Sequence, residues 1–282
     1  MKQPEKWKDT VDPFDIKFNS FELVEVLGYP HARNDVFYCK GKCCGEEIFC
    51  FVKYASKNES NLIREIEILN KLDYDFLPQV VDCDKDGKFI ITREIDGERL
   101  SYILQTTKEK SFDYMFEYGK TLARIHLTDV KCEEVEHRKF FDLPLVEHLE
   151  KFDIGFVYKF LSENKPKQIE KCFCHGDFHY ANILWKNNEI TAVLDWELAG
   201  IGNKEFDIAW AIINRPGQKF LKTDKEVNEF LRGYKSLNKC NVEHVKYYMV
   251  LIYSHFIGVD KNNLDYQEFV RRWLQKKCLL NK

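Results

Sequence analysis

CHGDFHYANILWKNNEITAVLDWELAG, residues 174–200, is the stretch from which the remainder of the chain falls into place. It carries His175-Gly176-Asp177, then Asn182 five residues after that aspartate, then Asp195 thirteen residues further on. Residues 183–186 and 191–194 are apolar and β-prone, and 187–190 are available as the loop, so the segment reads as a hairpin. Pairing Lys186 with Thr191 sets Leu184 against Val193 and Asn182 against Asp195. Two oxygen-bearing side chains are then expected to meet at the open end of the hairpin, beside Asp177.

Asparagine and aspartate oxygens, completed by phosphate oxygens, suit the octahedral demands of Mg²⁺. A carboxylate one turn away and free of the metal can accept a proton from an attacking hydroxyl. Phosphoryl transfer needs positioning and charge neutralisation more than covalent chemistry, so three such residues could suffice for it. Taken singly, Asp177 reads as a turn cap and Asp195 as a strand end. The constellation is what points to chemistry.

Upstream, residues 20–55 and 80–96 read as strands separated by turn residues, with a helix over 57–72 whose start fits a capping box of Ser56 and Glu59. In CFVKYA, alternation places Lys53 on one face with Phe51 and Ala55. A lysine in an apolar strand needs an anionic partner, because an unpaired buried ammonium is costly. The following helix offers one. Leu62, Ile66, Leu69 and Leu72 define its apolar stripe, Glu65 falls within that stripe, and Arg64 and Glu67 are expected to point away. Downstream of about 112 the periodicity becomes helical, over roughly 112–127, 144–163, 205–213, 224–236, 242–258 and 264–279, with one β-like island at 183–194. A small β-rich part is thus followed by a larger helical one.

The 282 residues are 44% hydrophobic with 7 Pro and no low-complexity run, which excludes collagen-like and disordered classes. Lys+Arg 43 against Asp+Glu 46 leaves a net charge of −3, giving no reason to expect a nucleic-acid partner. The longest strongly apolar run, about 247–253, falls short of the ~20 residues of a membrane span. MKQPEKWKDTVDPFD lacks an apolar core, so the expectation is a cytoplasmic protein without a secretory leader. The ten cysteines are expected to be reduced and structural. Cys39, Cys43, Cys44 and Cys50 could hold zinc in principle, but no C-x₂-C pair occurs.

HGDFHYANIL, followed by VLDWELAG and by Asp207 in EFDIAW, resembles the signature of the aminoglycoside phosphotransferase and choline kinase-like family. LARIH, ending at His126, resembles that family's helix before the catalytic loop. The resemblance covers residues 20–280. It implies an α+β, two-lobed protein-kinase-like fold: a nucleotide-binding lobe over 1–96, a hinge near 92–97, and a catalytic and acceptor-binding lobe over 97–282. It implies Asp177 as the catalytic base, Asn182 and Asp195 as Mg²⁺ ligands, and Lys53 on the ATP phosphates, held by Glu65. Thr92, Arg93, Glu94 and Ile95 would form the hinge that meets the nucleotide base, and His175 and Asp207 would brace the catalytic loop. His126 itself reads as a satisfied core histidine.

Residues 28–36 would cover the phosphates although they lack G-x-G-x-x-G, and Trp196-Glu197 stands where kinases carry Phe-Gly. The implied activity is transfer of the γ-phosphate of ATP, with GTP left open, to a hydroxyl of a small molecule. An aminoglycoside or related amino sugar comes first, since Gly176 leans that way. Choline, methylthioribose or homoserine stand as alternatives, and a non-catalytic nucleotide-binding module is a further one. Glu133, Glu134 and Glu136 could draw a cationic acceptor or simply form a solvated face. No Ala-Pro-Glu element follows Trp196, which argues against a protein kinase, and no protein partner is implied.

Overall fold

The computed structural model describes residues 11–29, 35–55 and 61–279. The proposed Ser56–Glu59 capping box and much of the phosphate-covering 28–36 segment lie outside the described residues. The chain divides into two compact units, one reaching Gly97 and also taking in Thr191–Ala199, the other made of Glu98–Ile190 and Gly200–Lys282.

In the first unit, β1 (Phe21–Gly28), β2 (Asp35–Cys43), β3 (Glu46–Tyr54), β4 (Val80–Cys83) and β5 (Phe89–Arg93) form an antiparallel sheet in the order β1-β2-β3-β5-β4. Cys44 and Gly45, with φ of 52° and 82°, make the two-residue turn between β2 and β3. Positive φ at both positions matches the right-handed twist of the strands it joins. Alternation along β3 sends Ile48, Cys50 and Val52 into a core with Phe37, Cys39, Phe89 and Ile91. Lys53 therefore projects from the other face, between Val36 of β2 and Ile90 of β5. The helix α1 (Leu62–Leu69) buries Leu62, Ile66, Ile68 and Leu69 together with Glu65. Arg64 is also buried, against the expectation, because its Nε donates to the Ala199 carbonyl at 2.7 Å. The stripe is wider than the periodicity of the apolar residues alone implies, since a backbone acceptor satisfies the guanidinium on that side.

The second unit is mainly helical: α2 (Leu100–Thr106), α3 (Phe112–His126), α4 (Val146–Lys151), α5 (Phe156–Glu163), α6 (Lys204–Ile212), α7 (Asp224–Lys235), α8 (Val242–Phe256) and α9 (Leu264–Leu279). Asn203 caps α6 through the N–H of Phe206, and Thr223 with Glu226 closes a capping box on α7. The single helix expected over 144–163 is two. Asp153, with φ 56°, and Gly155 break the pattern that the apolar spacing runs straight through. Two four-residue strands, β6 (Lys171–Cys174), where the sequence is β-like around Cys172 and Cys174, and β9 (Gly200–Asn203), which the sequence did not announce, pair antiparallel. The turn between β7 (Ile183–Lys186) and β8 (Glu189–Val193) is also shorter than expected. It consists of Asn187 and Asn188, at φ 53° and 64°, which brings Lys186 opposite Glu189 rather than Thr191. The strand register that was to carry Asn182 to Asp195 therefore does not hold. No described helix is long and apolar enough to cross a membrane.

Candidate active site

In the second unit the chain leaves β6 at Cys174 and turns through the fully buried His175 and through Gly176, whose φ of 80° a side chain would resist. The turn is held from two sides. Asp207, in the first turn of α6, accepts from the backbone N–H of His175 at 3.1 Å and of Gly176 at 3.2 Å. Arg138 donates from Nη2 to the Gly176 carbonyl at 2.7 Å. Asp207 also receives Nε2 of His126 at 3.1 Å, and Nδ1 of His126 lies 2.8 Å from the Tyr234 hydroxyl. His126 is thus a satisfied core histidine that anchors the loop's anchor.

That turn presents Asp177. Its Oδ1 accepts from Trp210 Nε1 at 2.7 Å, and its Oδ2 lies 3.5 Å from His179 Nε2. The guanidinium of Arg138 stands 4.6 Å and that of Arg215 5.1 Å from the Trp210 ring centre. Burial alone would push the Asp177 carboxyl up, but His179, Arg215 and Arg138 together hold it well below the ordinary carboxylate range. These groups favour the ionised form of the carboxyl. Nδ2 of Asn182 donates to the backbone carbonyl of Asp177 at 3.1 Å, so Oδ1 of that amide is the atom that can face a cation.

Sequence reasoning missed Trp210, His179, Arg138 and Arg215. Only Trp210 had a signal, since it follows Asp207 by three residues on one helix and so shares its face. Of the acidic trio at 133–136, Glu134 is engaged with Lys171 at 2.6 Å.

In the first unit, Lys53 Nζ lies 2.8 Å from Glu65, 2.7 Å from Asp195 and 3.5 Å from Glu197. Glu65 also accepts the backbone N–H of Trp196 at 3.3 Å. Desolvation works against the charge on Lys53, and the three carboxylates overcome it, raising its pKa further. Burial raises Glu65, with Asp195 and Glu197 adding to the effect and Lys53 opposing it. Asp195 adopts φ 67°, a strained value for a residue with a side chain, and its salt bridge to Lys53 fixes it there. Glu197, taken from sequence only as a departure from Phe-Gly, is buried and belongs to this cluster.

Carboxylate oxygens of Glu65, Asp195 and Glu197 lie within 4.8 Å of one another around a single ammonium. Three negative charges against one positive, all oxygen donors, form a set that fits a hard divalent cation such as Mg²⁺. The strand that runs toward the expected hinge has two of its N–H groups committed, Arg93 to the Gln79 carbonyl and Glu94 to that of Phe49, both at 2.9 Å.

Three solved structures align over most of this chain. An aminoglycoside-3′-phosphotransferase of type VIII shares 20% identity and a TM-score of 0.57, with 83% of this chain and 93% of that one covered. Spectinomycin phosphotransferase APH(9)-Ia, solved with ADP and spectinomycin, shares 16% and 0.53 over 91% and 90%. An ethanolamine kinase of Plasmodium vivax shares 14% and 0.57 over 97% and 85%. At such identities the likeness is one of fold, and it is the α+β kinase-like fold that the motif implied. The sequence profile described as the phosphotransferase enzyme family (APH) matches residues 31–238, a span that includes Lys53, Asp177, Asn182, Asp195 and Asp207. By that match, which spans most of its length, the chain belongs to the APH phosphotransferase family of small-molecule kinases.

Proposed function

We propose that this phosphotransferase moves the γ-phosphate of ATP to a hydroxyl of a small cationic molecule, with an aminoglycoside or related amino sugar as the first acceptor to try. The observation that carries the reading is the Asp177 carboxylate, fixed by the Trp210 N–H and held ionised by His179, Arg138 and Arg215. In this reading Asp177 takes the proton of the attacking hydroxyl at Oδ2, while Trp210 keeps Oδ1 in place. His175 and Asp207 hold the loop's backbone and so the aim of that carboxylate. Lys53, steadied by Glu65, binds nucleotide phosphate oxygens.

Asp195 and Asn182 are the residues that would hold Mg²⁺, with Glu197 beside Asp195; when bound, the cation neutralises phosphate charge. Residues 1–96 would serve the nucleotide and 97–282 the catalysis and the acceptor. Within the expected hinge, Thr92–Ile95, the N–H groups of Arg93 and Glu94 serve the sheet, so a purine would meet the backbone at Ile95 or at carbonyls. ATP as donor agrees with the spectinomycin phosphotransferase having been solved with ADP. The fold shared with an ethanolamine kinase supports amino alcohols as the second acceptor class.

The test is nucleotide consumption by the purified chain with Mg²⁺ across a panel of aminoglycosides, amino alcohols and sugars. Turnover dependent on a cationic acceptor is expected. Turnover with neutral sugars only, or nucleotide binding without any turnover, would overturn the reading.

A further inference from the structure

Behind the catalytic loop lies a second group of ligand-type side chains that the phosphotransfer reading does not use. Strand alternation puts Cys172 and Cys174 of β6 on one face, and their sulfurs lie 3.8 Å apart. Two thiolates on one tetrahedral zinc, with Zn–S bonds near 2.3 Å, stand about 3.8 Å apart. A disulfide, at about 2.05 Å, would need the sulfurs to close most of the way. A ring nitrogen of His126 and both sulfurs lie within 4.8 Å of one another.

The histidine is set up for a metal. Asp207, a carboxylate, faces Nε2 at 3.1 Å, so Nε2 carries the proton and Nδ1 carries the lone pair. A carboxylate behind the imidazole is the arrangement that orients metal-bound histidines. Nδ1 now meets the Tyr234 hydroxyl at 2.8 Å, a partner that a cation could replace without disturbing the Asp207 contact. A cavity of about 430 Å³ has Cys174, Gly202 and Asp207 in its wall.

We propose that Cys172, Cys174 and His126 form a Zn²⁺ site behind the catalytic loop, with Asp207 fixing the imidazole. Binding displaces the protons of the two thiols and leaves thiolate, the form that ligates zinc. The site's sulfur and nitrogen donors suit zinc, whereas the oxygen donors around Lys53 suit Mg²⁺. Its existence does not depend on which acceptor the enzyme phosphorylates.

The test uses the full chain, reduced and stripped with a chelator, then titrated with Co²⁺ in excess Mg²⁺ so that carboxylate sites are filled. Thiolate-to-cobalt charge-transfer absorption that saturates at one equivalent and is bleached by Zn²⁺ is the expected result. Cys172→Ser should remove about half of that absorption, one of two thiolates, while Cys44→Ser at the exposed β2–β3 turn should leave it intact. Absence of the band in the unaltered protein overturns the proposal without any variant. So does a band that is undiminished in Cys172→Ser.

Discussion

Burial and three neighbouring groups contend over the charge of Asp177. Desolvation favours the neutral acid, and His179, Arg215 and Arg138 favour the carboxylate and win. A folded-state pKa below the unfolded value contributes stability that is present above the ordinary aspartate range, near pH ~3.9, and is lost as pH falls through the folded pKa. The same sign applies to catalysis, because the base stays unprotonated throughout the working range. The kcat/KM profile should therefore show no acid limb from Asp177 above about pH 4. His179→Gln removes the first of the favourable partners, and its limb should move to higher pH; a superimposable profile would show that His179 does not set the base.

Asp177→Asn keeps the shape and the Trp210 contact but cannot take a proton. Its kcat should fall by about 10²-fold or more while nucleotide binding persists. Full activity in that variant would remove Asp177 from the role of base.

Among the elements, α3 and α7 approach closely because each contributes a glycine. A Cβ on Gly119 would stand 1.9 Å from the Phe230 carbonyl oxygen, and one on Gly233 would stand 1.9 Å from that of Phe116. Backbone cannot rotate aside as a side chain can, so either Gly→Ala change must push the helices apart. The crossing lies beneath the His126–Tyr234 contact, which joins the same two helices. Gly119→Ala should lose about 1–3 kcal/mol of stability, read as a lower urea midpoint at unchanged slope. A midpoint equal to that of the native chain would mean the helices can separate freely.

This crossing also marks what the sequence could and could not disclose. The periodicity of 112–127 and 224–236 located both helices, but glycine in a helix reads there as a weak helix former rather than as a contact. Lys53 and Glu65 were legible because a strand period and a helix period each exposed one charged residue on an apolar face. Arg64 was not, since its partner is a carbonyl more than a hundred residues away. The Asn187-Asn188 turn was misread because asparagine in the left-handed region permits a two-residue loop where apolar spacing alone allows four. Trp210, Arg138 and Arg215 meet at Asp177 only through tertiary packing.

At the scale of the whole molecule, a net charge of −3 conceals a local acidic cluster. Glu65, Asp195 and Glu197 surround Lys53 with two more negative charges than positive. A nucleotide triphosphate brings further negative charge, and like charges at such distances repel strongly in a poorly solvated site. Nucleotide should therefore bind well only with a divalent cation present. Ligand that binds the folded chain alone stabilises the whole molecule, by about 2.7 kcal/mol at a hundred times its Kd. Thermal unfolding followed with ADP should show a clear rise in Tm with Mg²⁺ and little with chelator. In Lys53→Met the three carboxylates lose their one cation, and the Mg²⁺-dependent rise should shrink to a small fraction of the native one. An equal rise with chelator, or an undiminished one in Lys53→Met, would place the nucleotide away from this cluster.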